Sequence, residues 1–299
     1  MSFLYQAFGL NIHAQFECPE LTPNTTDTVA DIFFREGFVA EHLENASIIG
    51  EWVEVLPQLV LLHIDQVGRF LVENGKTITV YPHKETSREM IRLFLLGSAM
   101  GALLYQRGIL PFHGSSVNKD GQSMVFSGPS GIGKSTLAAS MMKKGFQLLS
   151  DDVTAITFSP DGIPETSPGI PQIKLCRDSI QQLEFDVNRG RMLGQSGKIG
   201  FSPYNQVASH TFPLQAIYIL GRHPKKQTEV VPLYGIDKFH ALRMNTYRPL
   251  FVKAMGIEQE HFDQLKKLAS GTDVYLILRP ENGFHLDEIV AKIEKSMIE

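Results

Sequence analysis

The chain has 299 residues, of which 43% are hydrophobic and 20% charged, with a formal net charge of −4. That balance is globular, long enough for one large domain or two smaller ones, and it argues against a disordered chain. The mild acidity excludes a global basic field for nucleic acid. Two cysteines far apart in sequence, Cys18 and Cys176, argue against a disulfide framework or a zinc site. The opening residues carry no basic segment ahead of an apolar one, so no signal peptide and a cytoplasmic location are expected. Residues 1–86 read as a small β-rich domain, with β-branched runs at 53–62, 69–73 and 77–81. Asn74-Gly75 between the last two predicts a tight hairpin. Ser87 can cap a helix that runs to about Arg107, with Met90, Ile91, Phe94, Leu95, Ala102 and Leu103 on its apolar face and Gly108 ending it. Its most apolar stretch, 93–104, is too short to span a bilayer and reads as a buried core helix, so no membrane is expected.

Residues 87–299 read as the second domain. A strand at 109–117, a turn at Asn118–Gly121 and a strand at 122–127 predict an antiparallel hairpin. A helix follows at 135–144, then a strand at 146–150 ending in Asp151-Asp152. Residues 159–171 are dense in Pro, Gly and Ser and are expected to be loop. Residues 188–204 form a second polar stretch with Arg189, Arg191 and Lys198, either a clamp for phosphate or an acidic peptide end, or a solvated loop. Strands are expected at 212–220 and 274–278, and helices at 258–269 and 286–297.

Residues 128–135 read Gly-Pro-Ser-Gly-Ile-Gly-Lys-Ser, a complete GxxxxGK(S/T) phosphate-binding loop between a predicted strand and helix. Glycines let the backbone turn its N–H groups inward, and the helix start adds partial positive charge. Lys134 supplies a point charge for the outer phosphates, and the Ser135 hydroxyl suits Mg²⁺. Gly128, Ser130, Gly131, Ile132, Gly133, Lys134, Ser135 and Thr136 are therefore the candidate nucleotide-binding residues, for ATP or another nucleoside triphosphate. Asp151 and Asp152 close a strand one helix after the loop. The minimal return would lay that strand beside the loop strand, with one carboxylate toward Mg²⁺ and the other toward the phosphoryl acceptor. His113, in the preceding strand, reads either as structural or as a partner of Asp151, a contact that would raise its pKa.

The run from His113-Gly114 through the loop to Asp151-Asp152 closely resembles the catalytic domain of HPr kinase/phosphorylase, whose fold is similar to that of phosphoenolpyruvate carboxykinase. The resemblance implies an α/β P-loop kinase domain in which Asp151 is the general base, His113 tunes it and Lys134 stabilises the migrating phosphoryl. Mg²⁺ is then expected at Ser135 and Asp152. Thr136 stands where that family usually carries Glu. The layout of the whole chain looks more like a branch of HPr-kinase-like proteins found in lasso-peptide gene clusters. That likeness implies phosphorylation of a C-terminal serine on a precursor peptide. A small carrier protein as acceptor, and a non-catalytic nucleotide-binding partner, are the alternatives.

Overall fold

The computed structural model describes residues 2–26, 28–49, 52–193, 197–202, 210–283 and 285–296. It contains two compact units, Met1–Pro111 with Tyr247–Gln264, and Phe112–Thr246 with Leu265–Glu299.

The first unit is built on a nine-stranded sheet. Alternation sets its inner face: Ile12, Ala14, Ile32, Phe34, Phe70, Val72, Ile78 and Val80 are all buried, the period-two pattern of strands with one covered face. The expected hairpin joins Gly68–Glu73 to Thr77–Pro82. Asn74 and Gly75 both have positive φ, at 54° and 61°, as a type I′ turn requires. The run at 53–62 is two strands rather than one. Val53–Leu56 and Leu59–Ile64 fold back on each other with Leu56 opposite Leu59, because Pro57 has no N–H to carry the ladder through.

Ser87 caps the following helix, its Oγ accepting from the Met90 N–H at 3.2 Å. The helical run passes through Arg88–Phe94, a π-turn at Leu95–Ala99 and Met100–Gln106, and Gly108 leaves it at φ 67°. From Leu95 to Tyr105 it is buried apart from half-buried Gly97, as expected, whereas Leu93 is exposed. A Cβ on Gly101 would come within 2.7 Å of the Tyr247 ring, and the Tyr105 hydroxyl donates to the Tyr247 carbonyl at 2.7 Å. The run packs with Gly68–Glu73 and Thr77–Pro82, so it falls in the first compact unit, whereas the sequence expectation began the second domain at residue 87.

In the second unit the expected hairpin is present: Leu110–Lys119 pairs antiparallel with Gln122–Ser127. The loop strand Gln122–Ser127 has its other edge covered by Phe212–His223 in parallel, and Asp273–Pro280 adds in parallel beyond that. With that edge taken, Gln147–Ser150 does not lie beside the loop strand as expected. It pairs with Leu110–Lys119, one strand further over. The helix Lys134–Lys143 covers this sheet, and Leu137, Ala138 and Met141 share a buried cluster with Phe126, Tyr218, Ile277, Ile289 and Ile293. The stretch 159–171 is not all loop: Pro164–Ser167 pairs with Val153–Phe158 and Phe212–His223. Within 188–204, Arg191–Met192 and Ile199–Phe201 form short strands. Residues 194–196 and 203–204 of that stretch, and Met297 at the expected helix end, lie outside the described residues. No described helix is long and apolar enough to cross a membrane.

Candidate active site

Left-handed glycines shape the loop at 128–135. Gly128, Gly131 and Gly133 have φ of 132°, 77° and 111°, conformations that favour residues without a Cβ. At Gly128 a Cβ would also lie 2.6 Å from the Leu220 carbonyl oxygen. The helix starts at Lys134 with no side chain capping it, so its first-turn N–H groups stay available to an anion. Lys134 is 8% exposed, and its ammonium donates to the carbonyls of Gly128 at 2.9 Å and Pro129 at 3.1 Å. Burial lowers its pKa; Asp152 and Asp151 oppose that shift and Lys198 adds to it. Ser130 is exposed. The side chains of Ile132 and Thr136 point away from a phosphate role: Ile132 is in the core, and Thr136 Oγ1 lies 2.8 Å from Ser179 Oγ.

The two aspartates have different surroundings. Asp151 is 4% exposed. Its Oδ1 accepts from Ser115 Oγ at 2.5 Å and from Ser135 Oγ at 2.8 Å, and its Oδ2 accepts from the Lys174 N–H at 2.9 Å. Asp152 has 40% of its side chain exposed and sits at φ 79°, a conformation that aspartate tolerates better than most residues. Its carboxylate lies 3.5 Å from His113 Nδ1 and 3.6 Å from Lys174 Nζ. Burial pushes the Asp152 carboxyl up, but Lys174, His113, Lys198 and Lys134 outweigh burial and leave its pKa below the ordinary value.

His113 thus meets Asp152, not Asp151 as expected. Its Nδ1 lies 3.0 Å from the Asp152 carbonyl oxygen. A carbonyl only accepts, so Nδ1 carries the proton and Nε2 the lone pair. The expected rise in its pKa is reversed. Burial and Lys134 lower it, against the pull of Asp152 and Asp151. The strand carrying His113 is held from behind. Its N–H donates to the Asn245 carbonyl at 2.8 Å, and Ser127 Oγ lies 2.5 Å from the His113 carbonyl and 3.0 Å from Asn245 Oδ1.

Sequence reasoning missed Ser115 and Asn245, and it left Lys174, just after the 159–171 stretch, open between a substrate rim and a solvated position. Ser115 was within reach, since it lies two residues after His113 and so on the same side of the strand. Lys174 and Asn245 belong to no local motif. Of the cations at 188–204, Lys198 acts on the site through its charge on Lys134 and Asp152, while Arg189 lies 3.5 Å from Asp186.

The Ser135 hydroxyl and the Asp151 carboxylate form a hard-oxygen pair, and among the described residues no group of three or more His, Cys, Asp or Glu side chains is placed to hold a metal. Mg²⁺ suits such a site, because it takes one or two protein oxygens and completes its shell with water and phosphate. Beside the loop lies a cavity of about 390 Å³, bounded by Gly131–Gly133, Leu220, Ile277, Arg279 and Ile289 among others.

Fold and site together define a mixed α/β protein with a glycine-rich loop between strand and helix and a carboxylate pair beside it. No family model and no curated protein matches the chain. Among solved structures, the HPr(Ser) kinase/phosphatase from Coxiella burnetii matches at 14% identity with a TM-score of 0.31, covering 62% of this chain and 89% of that chain. A likeness at that level assigns neither a reaction nor a substrate.

Proposed function

We propose that the protein is a phosphotransferase that moves the terminal phosphoryl group of ATP, or another nucleoside triphosphate, to a serine hydroxyl on a peptide or small protein. The observation that carries this reading is the split between the aspartates. Asp151 is bonded to the loop serine, and Asp152 is half open beside His113 and Lys174. That arrangement serves two separate tasks in one site.

In this reading the loop N–H groups and Lys134 hold the outer phosphates. Ser135 and Asp151 would hold Mg²⁺, which when bound supplies charge neutralisation for the phosphates. This division of labour differs from the one the resemblance implies, with Asp151 on the metal side and Asp152 on the acceptor side. The acceptor oxygen forms its bond to the terminal phosphorus as the bond to the bridging oxygen breaks. The hydroxyl proton passes to the Asp152 carboxylate, and the nucleoside diphosphate leaves with the bridging oxygen. Asp152, held ionised chiefly by Lys174, is a weak base. A loose phosphoryl-transfer transition state, with little bonding to the acceptor, asks mainly for positioning and charge. His113 fixes the Asp152 backbone through its Nδ1 proton.

The resemblance in sequence favours the C-terminal serine of a lasso-type precursor peptide as acceptor, in the cytoplasm. A small carrier protein is the alternative. The test is incubation with ATP and Mg²⁺ and either a candidate precursor peptide ending in serine or an HPr-type carrier, read by mass spectrometry. Phosphate on the final serine supports the peptide reading, and phosphate on the carrier supports the alternative. Nucleotide bound with no transfer to either would leave a binding protein and overturn the enzymatic reading.

A further inference from the structure

Three parallel strands end at one edge of the second unit. Ser127 stands opposite Ile219, and Ile219 opposite Leu276. The carboxyl ends of Gln122–Ser127, Phe212–His223 and Asp273–Pro280 therefore share the edge from which the phosphate loop springs. In sheets of parallel strands that edge is where ligands bind. The loop strand stops at Ser127, but its two neighbours run on and bring Arg222 and Arg279 opposite each other in register. Neighbouring strands lie about 4.8 Å apart, and paired residues point to the same face. Two cations thus rise side by side. Among the described residues neither has an ion pair with a carboxylate, and Arg279 donates only to the carbonyl of its neighbour Pro280, at 3.3 Å.

Arg279 borders the cavity of about 390 Å³ beside the loop. Gly131, Ile132 and Gly133, whose backbone belongs to the phosphate cradle in the proposed reading, also line it. Leu220, Ile277 and Ile289 give it an apolar part, and Asp178, Gln182 and His285 border it as well. The volume lies in the range of small-molecule pockets. A flat heteroaromatic ring suits the apolar part, and a planar guanidinium that has no ion pair among the described residues is suited to stack on that ring.

We propose that this cavity holds the nucleoside of the donor nucleotide, with the Arg279 guanidinium stacked on the base. The inference rests on the reading of residues 128–135 as the phosphate site and adds where the rest of the nucleotide goes and what recognises it. A phosphate contact for Arg279 is the competing possibility, and inorganic tripolyphosphate separates the two because it lacks a nucleoside.

The experiment is calorimetric titration of the full chain with Mg²⁺-ATP and with Mg²⁺-tripolyphosphate, for wild type, R279M, R279K and R222M. Thermal unfolding checks that each variant is folded. R279M should weaken ATP binding about tenfold, the size of a lost cation–π contact of intermediate burial, and leave tripolyphosphate within about twofold. R279K should fall between, since it keeps the charge and loses the plane. R222M should match wild type. If R279M weakens both ligands alike, Arg279 holds phosphate and the proposal falls. Unchanged ATP binding also overturns it. Wild type that binds tripolyphosphate as tightly as ATP would spare the phosphate loop and remove the nucleoside site. Wild type that binds neither would remove both.

Discussion

Neighbours in sequence, Asp151 and Asp152 should differ sharply in what they do for stability. Asp151 is 4% exposed and accepts three hydrogen bonds, from Ser115 Oγ, Ser135 Oγ and the Lys174 N–H. Bonds to a charged acceptor contribute about 1.5–3 kcal/mol each, so Asp151→Ala loses roughly 5–9 kcal/mol gross. Removing the buried charge returns several kcal/mol of desolvation, which leaves a net loss of roughly 2–4 kcal/mol. The two serine hydroxyls can rotate to new partners, but the Lys174 N–H is fixed in its strand and is left bare. Asp152→Asn should cost less than about 1 kcal/mol. Its partners are 3.5 Å and 3.6 Å away at a side chain 40% exposed, surface-like pairs that contribute little, and asparagine also tolerates its positive φ. Urea unfolding followed by circular dichroism measures the difference. The single tryptophan, Trp52, lies in the first unit, so its fluorescence would follow the wrong part of the chain. Hydrogen exchange at the Lys174 amide localises the effect, and it should speed up in Asp151→Ala alone. Equal stabilities for the two variants within about 0.5 kcal/mol, or an unchanged Lys174 amide, would refute the reasoning.

The same site supports further expectations. Asp152→Asn should slow phosphoryl transfer about 10²–10⁴-fold with nucleotide affinity kept; near-normal turnover in a coupled assay would remove Asp152 as the base. Gly128→Ala places a Cβ 2.6 Å from the Leu220 carbonyl oxygen at φ 132°. With only backbone to yield, it should destabilise by at least about 2 kcal/mol and abolish nucleotide binding, and wild-type binding in a titration would contradict that. Acid should remove the stability that this site contributes in two stages. The His113 pKa is lowered below its ordinary 6.5 on folding, so the unfolded chain takes that proton first and stability falls as pH drops below about 6.5. The lowered Asp152 pKa contributes stability that is present above the ordinary carboxylate value and lost as pH falls through the folded value. His113→Gln should flatten the upper stage, and parallel stability curves for wild type and variant between about pH 7.5 and 5 would count against it.

The legible parts of this protein are those decided by contiguous backbone. Gly128, Gly131 and Gly133 announce positive φ wherever the rest of the chain lies, and Asn74-Gly75 does the same for the hairpin in the first unit. Ser87 meets the helix it caps three residues later. Ser115 was legible in principle, through the period of a strand whose register the hairpin turn had already set. Leu110–Lys119 against Gln122–Ser127 needed only a short turn between them.

What the tertiary structure decided is which distant group meets which. The sequence determined by itself that a glycine-rich GxxxxGKS loop, a histidine and two adjacent carboxylates exist, because each is specified within a few residues. It could not determine that Phe212–His223 takes the free edge of the loop strand and moves Gln147–Ser150 one strand over. Nor could it show that a backbone N–H from Lys174 claims Asp151, that His113 turns to Asp152, or that Asn245 holds His113 from behind. Those contacts join residues separated by 23, 39 and 132 positions, as the numbering shows. Period and propensity describe one segment at a time. Pairing across such separations is fixed only when buried faces and open strand edges compete for each other in the folded chain.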